Sequence, residues 1–191
     1  VFPESDSLTY ERTKPEPSVT QNRLQLLSRL TETHNSPKLI IASASSLQQK
    51  TLNKRLFVKL THTLTIDSKL SMTDQIERLL DAGYLSTPIV NSPGFFNKRG
   101  DILDLFSPQH ETPHRIEFYG NNIDSIRSFD SETQISVNSI DNITVCPANE
   151  TLLFAANDKS KVKLLDDLNF SNCKESIRAR FINEINSIKN K

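Results

Sequence analysis

The pattern of apolar and polar positions changes rhythm twice along the chain. The polar opening carries Pro3, Pro15 and Pro17 and predicts an extended surface segment, because proline fixes φ and lacks an N–H donor. In "TQNRLQLLSRLTE", Leu24 and Leu27 stand three apart and Leu26 and Leu30 four apart, which predicts a short amphipathic helix behind Thr20 as N-cap. The run Leu39, Ile40, Ile41, Ala42 has no polar alternate and predicts a strand buried on both faces, with Ser45 or Ser46 capping a helix after it. Helix, buried strand, serine turn and helix make the rhythm of an α/β layer with a parallel sheet.

From residue 67 the spacing differs. "KLSMTDQIERLLDAGY" predicts an amphipathic helix with Ile76, Leu79 and Leu80 on one side, Asp74 in the first turn and Gly83 ending it. Strands then follow closely, around 88–90, 101–106, 114–119, 122–129 and 139–145, separated by the turn-forming "SPG", "SPQHETP", "GNN" and "DSETQ". Gly120 and Asn121 both tolerate positive φ, so 114–129 predicts a hairpin, and links this short impose antiparallel pairing. The stretch reads as a small α+β unit of its own. After Pro147 the rhythm changes again: "SKVKLLDDL" and "CKESIRARFINEINSI" predict helices, the second with Ile177, Phe181 and Ile185 at four-residue steps.

Composition narrows the function classes. Lys plus Arg (23) equals Asp plus Glu (23), so there is no overall basic field to favour nucleic acid as the main partner. Cys146 and Cys173 lie far apart without CxxC spacing, which argues against a zinc ribbon or a disulfide scaffold and for a reducing, cytoplasmic compartment. No apolar run approaches the roughly 18 residues that cross a bilayer, so a soluble, monomeric chain with no membrane partner is expected. Val1 in place of Met, and an end just after a helical pattern, point to a piece of something longer.

Catalytic chemistry finds little support. No G-x-x-x-x-G-K-[ST] loop occurs, and none of the four glycines falls in a GxGxxG arrangement, so the chain carries no nucleotide cradle and no cofactor is expected. His34, His62, His110 and His114 lack metal-ligand or triad spacing. Asp101 and Asp104 sit three apart on an expected strand, so they face opposite sides and cannot act as an acid/base pair. A surface remains. In "PHRIEFYGN", alternation sets His114, Ile116 and Phe118 on one face and Arg115, Glu117 and Tyr119 on the other. With the first face on the core, Arg115 and Tyr119 stand exposed, and these residue types are enriched among interface hot spots. The structural alternative is a solvated cross-strand ion pair of Arg115 with Glu117 or a carboxylate of another strand.

"LLDAGY", "IVNSPGFFNKRGDILDLFSP" and "TPHRIEFYGNNIDSIRSFDSETQIS" resemble the amino-terminal region of the bacterial transcription-repair coupling factors (Mfd) and, more distantly, the damage-recognition protein UvrB. Gly83 and Tyr84, Pro93 and Gly94, Phe96, residues 99–106, Pro113, 115–118, 123–127, Phe129, Asp130, Thr133 and Gln134 fall in register with the family pattern. "FPESDSLTYE" is similar to the coupling factors' opening, which favours that family over UvrB. Asn121 and Asn122 replace the family's acidic pair, Ile135 its arginine, Ser5 its tryptophan, and Phe95 an acid or amide.

The resemblance implies an α/β plus α+β fold. Residues 1–66 and 149–191 would be two parts of an incomplete, helicase-like parallel α/β domain without an ATP site, and 67–148 an inserted antiparallel domain that docks on the repair ATPase UvrA. It maps the contact residues to Arg99, Arg115 and Tyr119, with Gly100 turning the backbone so that Arg99 is presented at a tip. The implied function is a non-catalytic adaptor that recruits excision repair to stalled RNA polymerase. ATP, RNA polymerase and double-stranded DNA would belong to the parent protein's motor and its other parts. The competing reading is a fragment of UvrB or of another ATP-dependent DNA helicase. A third is an internal clamp that covers a surface of the parent protein.

Overall fold

The computed structural model describes residues 1–4, 16–31, 39–150 and 174–189, with side chains to 183 in the last stretch. The chain divides into two compact units, Val1–Leu152 and Leu153–Lys191. Three helices open the first unit: α1 (Pro17–Thr31), α2 (Ala44–Gln48) and α3 (Lys54–Leu60). Pro17 takes the first helical position, where its missing N–H costs nothing, so α1 starts earlier than the expected cap at Thr20. Ser43 caps α2 by accepting from the Ser46 N–H, and Asn53 caps α3 by accepting from the Leu56 N–H. Leu24 of α1 packs with Phe57 of α3 and with Cys146 in a small core.

Strand β1 (His62–Thr65) and helix α4 (Met72–Asp81) follow, and then β2 (Leu85–Ser86), β3 (Phe95–Arg99), β4 (Ile102–Leu105), β5 (His114–Tyr119), β6 (Asn122–Phe129), β7 (Ser136–Ser139) and β8 (Asn142–Val145). Six of these strands form one sheet in the order β2-β3-β4-β5-β6-β7, antiparallel except for the parallel β2–β3 pair, while β1 and β8 make a separate antiparallel ribbon. The main core lies between one face of the sheet, α4 and the ribbon. Leu103, Leu105, Ile116, Phe118, Ile123 and Ile126 of the sheet meet Leu79 of α4, Ala82 at its C-cap, and Leu64, Ile143 and Val145 of the ribbon. Each such fully buried aliphatic side chain stabilises the fold by roughly 1.5–3 kcal/mol.

Helix α4 ends in a Schellman motif. Gly83, at φ +85°, donates its N–H to Leu80 and Tyr84 donates to Leu79, which satisfies two terminal carbonyls. Tyr84 is then buried, and its hydroxyl donates to the Cys146 carbonyl at 2.7 Å, tying the helix exit to the residue after β8. In the second unit the described part is helix α5 (Glu175–Lys189), on which Ile177 and Phe181 are exposed. The expected helix over "SKVKLLDDL" lies outside the described residues, as do His34, Cys173 and most of the proline-bearing opening. No helix among the described residues is long and apolar enough to cross a membrane.

Several expectations are corrected. Leu39, Ile40 and Ile41 are exposed and Ala42 is half-buried, with a single parallel bridge of Ala42 to Phe2 in place of a doubly buried strand; among the described residues no other strand pairs with this run. Leu80 points away from the core because the buried stripe of α4 runs through Met72, Gln75, Ile76 and Leu79, and Gln75 holds its place by bonding His62. Residues 88–90 are no strand: Pro88 lacks the ladder donor, and β2 and β3 flank this loop instead. The expected strand 139–145 is two, β7 on the large sheet and β8 on the ribbon. Of the two residues thought able to take positive φ in the β5–β6 hairpin, Gly120 alone does so, at +61°.

Candidate docking face

The sheet face opposite the core is built from two cross-strand rows. Asn97, Asp104, Arg115, Arg127 and Ser139 are aligned across β3 to β7, and Arg99, Ile102, Glu117 and Ser125 form the next row. Directly paired residues share a side of the sheet, so three arginines and two carboxylates stand together on one surface. Arg99 is the last residue of β3. A two-residue link, Gly100 and Asp101, returns the chain into β4, with Gly100 at φ +59°. A side chain at Gly100 would meet nothing within 4 Å, so the left-handed backbone, and not space, calls for glycine there.

Asp104 is the centre of this face. Its side chain is 2% exposed, yet it carries a charge, and a buried carboxylate is tolerated only with partners. Arg115, 16% exposed, donates from Nε to Oδ1 at 2.7 Å and from Nη2 to Oδ2 at 3.0 Å. Arg99, 62% exposed, donates from Nη2 to Oδ2 at 3.2 Å. The Arg115–Asp104 pair is therefore the cross-strand ion pair weighed as the structural alternative, but buried and bidentate, which makes it stronger than a solvated one. Hydrogen bonds to Asp104 raise the pKa of Arg115 above its ordinary value although burial opposes this.

The "FDSETQ" segment supports Arg115 from the side. The Phe129 ring lies under its guanidinium, with Cζ 4.8 Å from the centroid. Asp130 accepts from the Thr133 N–H at 2.7 Å, the Thr133 hydroxyl at 2.8 Å and the Glu132 N–H at 3.1 Å, bonds that lower its pKa. The turn so capped places Gln134 at φ +62°, where its carbonyl accepts from Arg115 Nη1 at 3.4 Å. On the other flank Glu117 accepts from Ser125 Oγ at 2.7 Å and from Arg127 Nη2 at 3.4 Å. Arg115 and Arg127 are like charges directly opposite each other, a destabilising arrangement that Asp104 and Glu117 offset from either side.

The three residues singled out in the sequence take different places. Arg99 and Arg115 converge on one carboxylate. Tyr119, 80% exposed, stands on the same side of β5 but four residues along, about 13 Å from Arg115 by strand rise. The alternation expected in β5 holds, with His114, Ile116 and Phe118 buried. Asp101 lies in the turn and not on the strand, where its carbonyl accepts from the Phe118 N–H. Sequence reasoning missed Asp104, Phe129 and Gln134 as supports; the available signal was a charged residue inside the apolar run "DILDLF".

Residues 63–150 match the family described as the UvrB interaction domain. Over 152 residues, 80% of the chain, it is 32% identical to the transcription-repair-coupling factor of Myxococcus xanthus and 34% to that of Rickettsia bellii; the Bacillus subtilis protein of the same name is 26% identical over 153 residues. The chain belongs to the UvrB-homologous region of the transcription-repair coupling factor family. It spans about 13% of the length of these relatives. In this coupling-factor chain the motif residues Arg99, Asp104, Arg115, Phe129, Asp130, Thr133 and Gln134 are one connected structure, so "RGDILDLF", "RIEF" and "FD..TQ" meet on a single sheet face. Asn121 and Asn122 are exposed at the hairpin beside Tyr119, and Ile135 is exposed next to Gln134.

Proposed function

We propose that this coupling-factor region is a non-catalytic adaptor that docks on UvrA, so that the parent protein recruits excision repair to stalled RNA polymerase. The observation that carries the reading is the solvent-facing surface on which Arg99 and Arg115 share the buried Asp104 while Tyr119 is exposed on the same side. Arg99 spends one of its five N–H donors on Asp104, so its outer edge is free to take a partner's carboxylate in a charge-assisted, bidentate pair. Tyr119 adds a flat apolar contact with a hydroxyl at its tip. In this reading 67–148 is the docking domain, 1–66 and 149–191 are parts of a helicase-like α/β domain, and ATP, double-stranded DNA and RNA polymerase engage the parent protein beyond this chain.

The test is titration of the chain with UvrA by calorimetry, for the wild type and for Arg99→Ala and Arg115→Ala. Each substitution is expected to cost about 2 kcal/mol or more, roughly 30-fold in affinity, as hot-spot arginines do. A loss below about threefold for both, in variants that remain folded, would refute the mechanism.

A further inference from the structure

We infer that Asp104 is a positioning residue of the docking face: it touches no partner and sets how strongly Arg99 and Arg115 can bind one. The inference rests on the docking reading above. At 2% exposure the carboxylate cannot reach an incoming protein, so any effect it has on docking passes through the two arginines. It accepts three N–H bonds, from Arg115 Nε and Nη2 and from Arg99 Nη2, and so holds two guanidinium groups from different strands at one point. A free arginine surrenders much rotamer freedom when it docks; one already pinned surrenders less, and the saving appears as affinity. The pinned edge of each arginine faces Asp104, which directs what remains of Arg99 outward, toward a partner aspartate or glutamate.

The sign of the effect separates this role from simple charge. A partner that docks through acidic groups is repelled by Asp104, so on charge alone Asp104→Asn should tighten binding. Positioning requires the opposite. The amide of asparagine keeps an acceptor for Arg115 Nε but turns N–H donors toward the donors of Arg115 Nη2 and Arg99 Nη2, which releases the pair.

Titration of UvrA with the wild type, with Asp104→Asn and with the Arg99→Ala, Arg115→Ala double variant decides the matter, each variant being checked for fold by amide NMR. The expected result is that the double variant loses binding and Asp104→Asn binds about tenfold more weakly although it removes a negative charge that would repel an acidic partner. Equal or tighter binding by folded Asp104→Asn, with binding still dependent on the arginines, overturns the inference and leaves the docking reading intact. Absence of binding by the wild type overturns both. Should Asp104→Asn not fold, guanidinium NMR of the wild type decides: slowly rotating, distinct Nη signals for Arg115 are expected, and averaged signals would overturn the inference.

Discussion

His114 shows how placement on β5 sets chemistry at the scale of a single residue. It belongs to the buried alternate of the strand, its Nδ1 has no hydrogen-bond partner among the described residues, and the His110 ring packs edge-on at 4.7 Å. Burial, with His110 nearby, lowers its pKa to about 4. A histidine whose folded pKa lies below the unfolded value near 6.5 binds fewer protons when native, so stability is full above pH 6.5 and falls as pH drops toward 4. Between pH 7 and pH 5, above the carboxylate range, the unfolding free energy should drop by about 2 kcal/mol. His62 and His110 are shifted downward by burial too and act in the same direction. Urea titrations at the two pH values check this; equal stability at both would contradict it. Cys146, by contrast, is buried with its thiol pushed up to about 11, so it behaves as packing and not as a reactive group.

At the scale of elements, turns decide which side chains the strands present. Gly83, Gly100 and Gly120 all hold positive φ, at +85°, +59° and +61°: the first stops α4, and the others close the hairpins that carry Arg99 and Tyr119. Gly83→Ala should cost about 1–2 kcal/mol, the price of a left-handed backbone for a residue with Cβ, and should lower the thermal midpoint without altering UvrA affinity. An unchanged midpoint would mean that the Schellman turn is dispensable. The β5–β6 hairpin was legible because its strands alternate and its turn is local. Strand β1 was not legible, since its partner β8 lies eighty residues on and "HTLT" has too few positions to show a period.

For the first unit taken whole, Arg23 has the widest reach. It is 2% exposed and bonds both oxygens of Glu150 at 2.6 and 3.0 Å, the Pro3 carbonyl at 2.8 Å and Gln49 at 3.1 Å, with its guanidinium over the Phe2 ring. One side chain of α1 thus joins the first residues, the exit of α2 and the segment after β8. Arg23→Ala leaves the Glu150 carboxylate, 12% exposed, without its arginine and should cost up to about 3 kcal/mol, read in chemical denaturation; a cost under about 1 kcal/mol would show the network to be incidental. From the sequence alone followed the amphipathic α4, the alternation of β5, the glycine turns, the lack of a phosphate loop and the family, because each is written in local spacing or in residue type. Tertiary structure alone decided that Asp104 is an anchor shared by Arg99 and Arg115, that Phe129 lies beneath Arg115, and that Arg115 faces Arg127. Those relations depend on which strand lies beside which and in what register, and hydrogen bonding across the sheet, acting between residues distant in the chain, sets both.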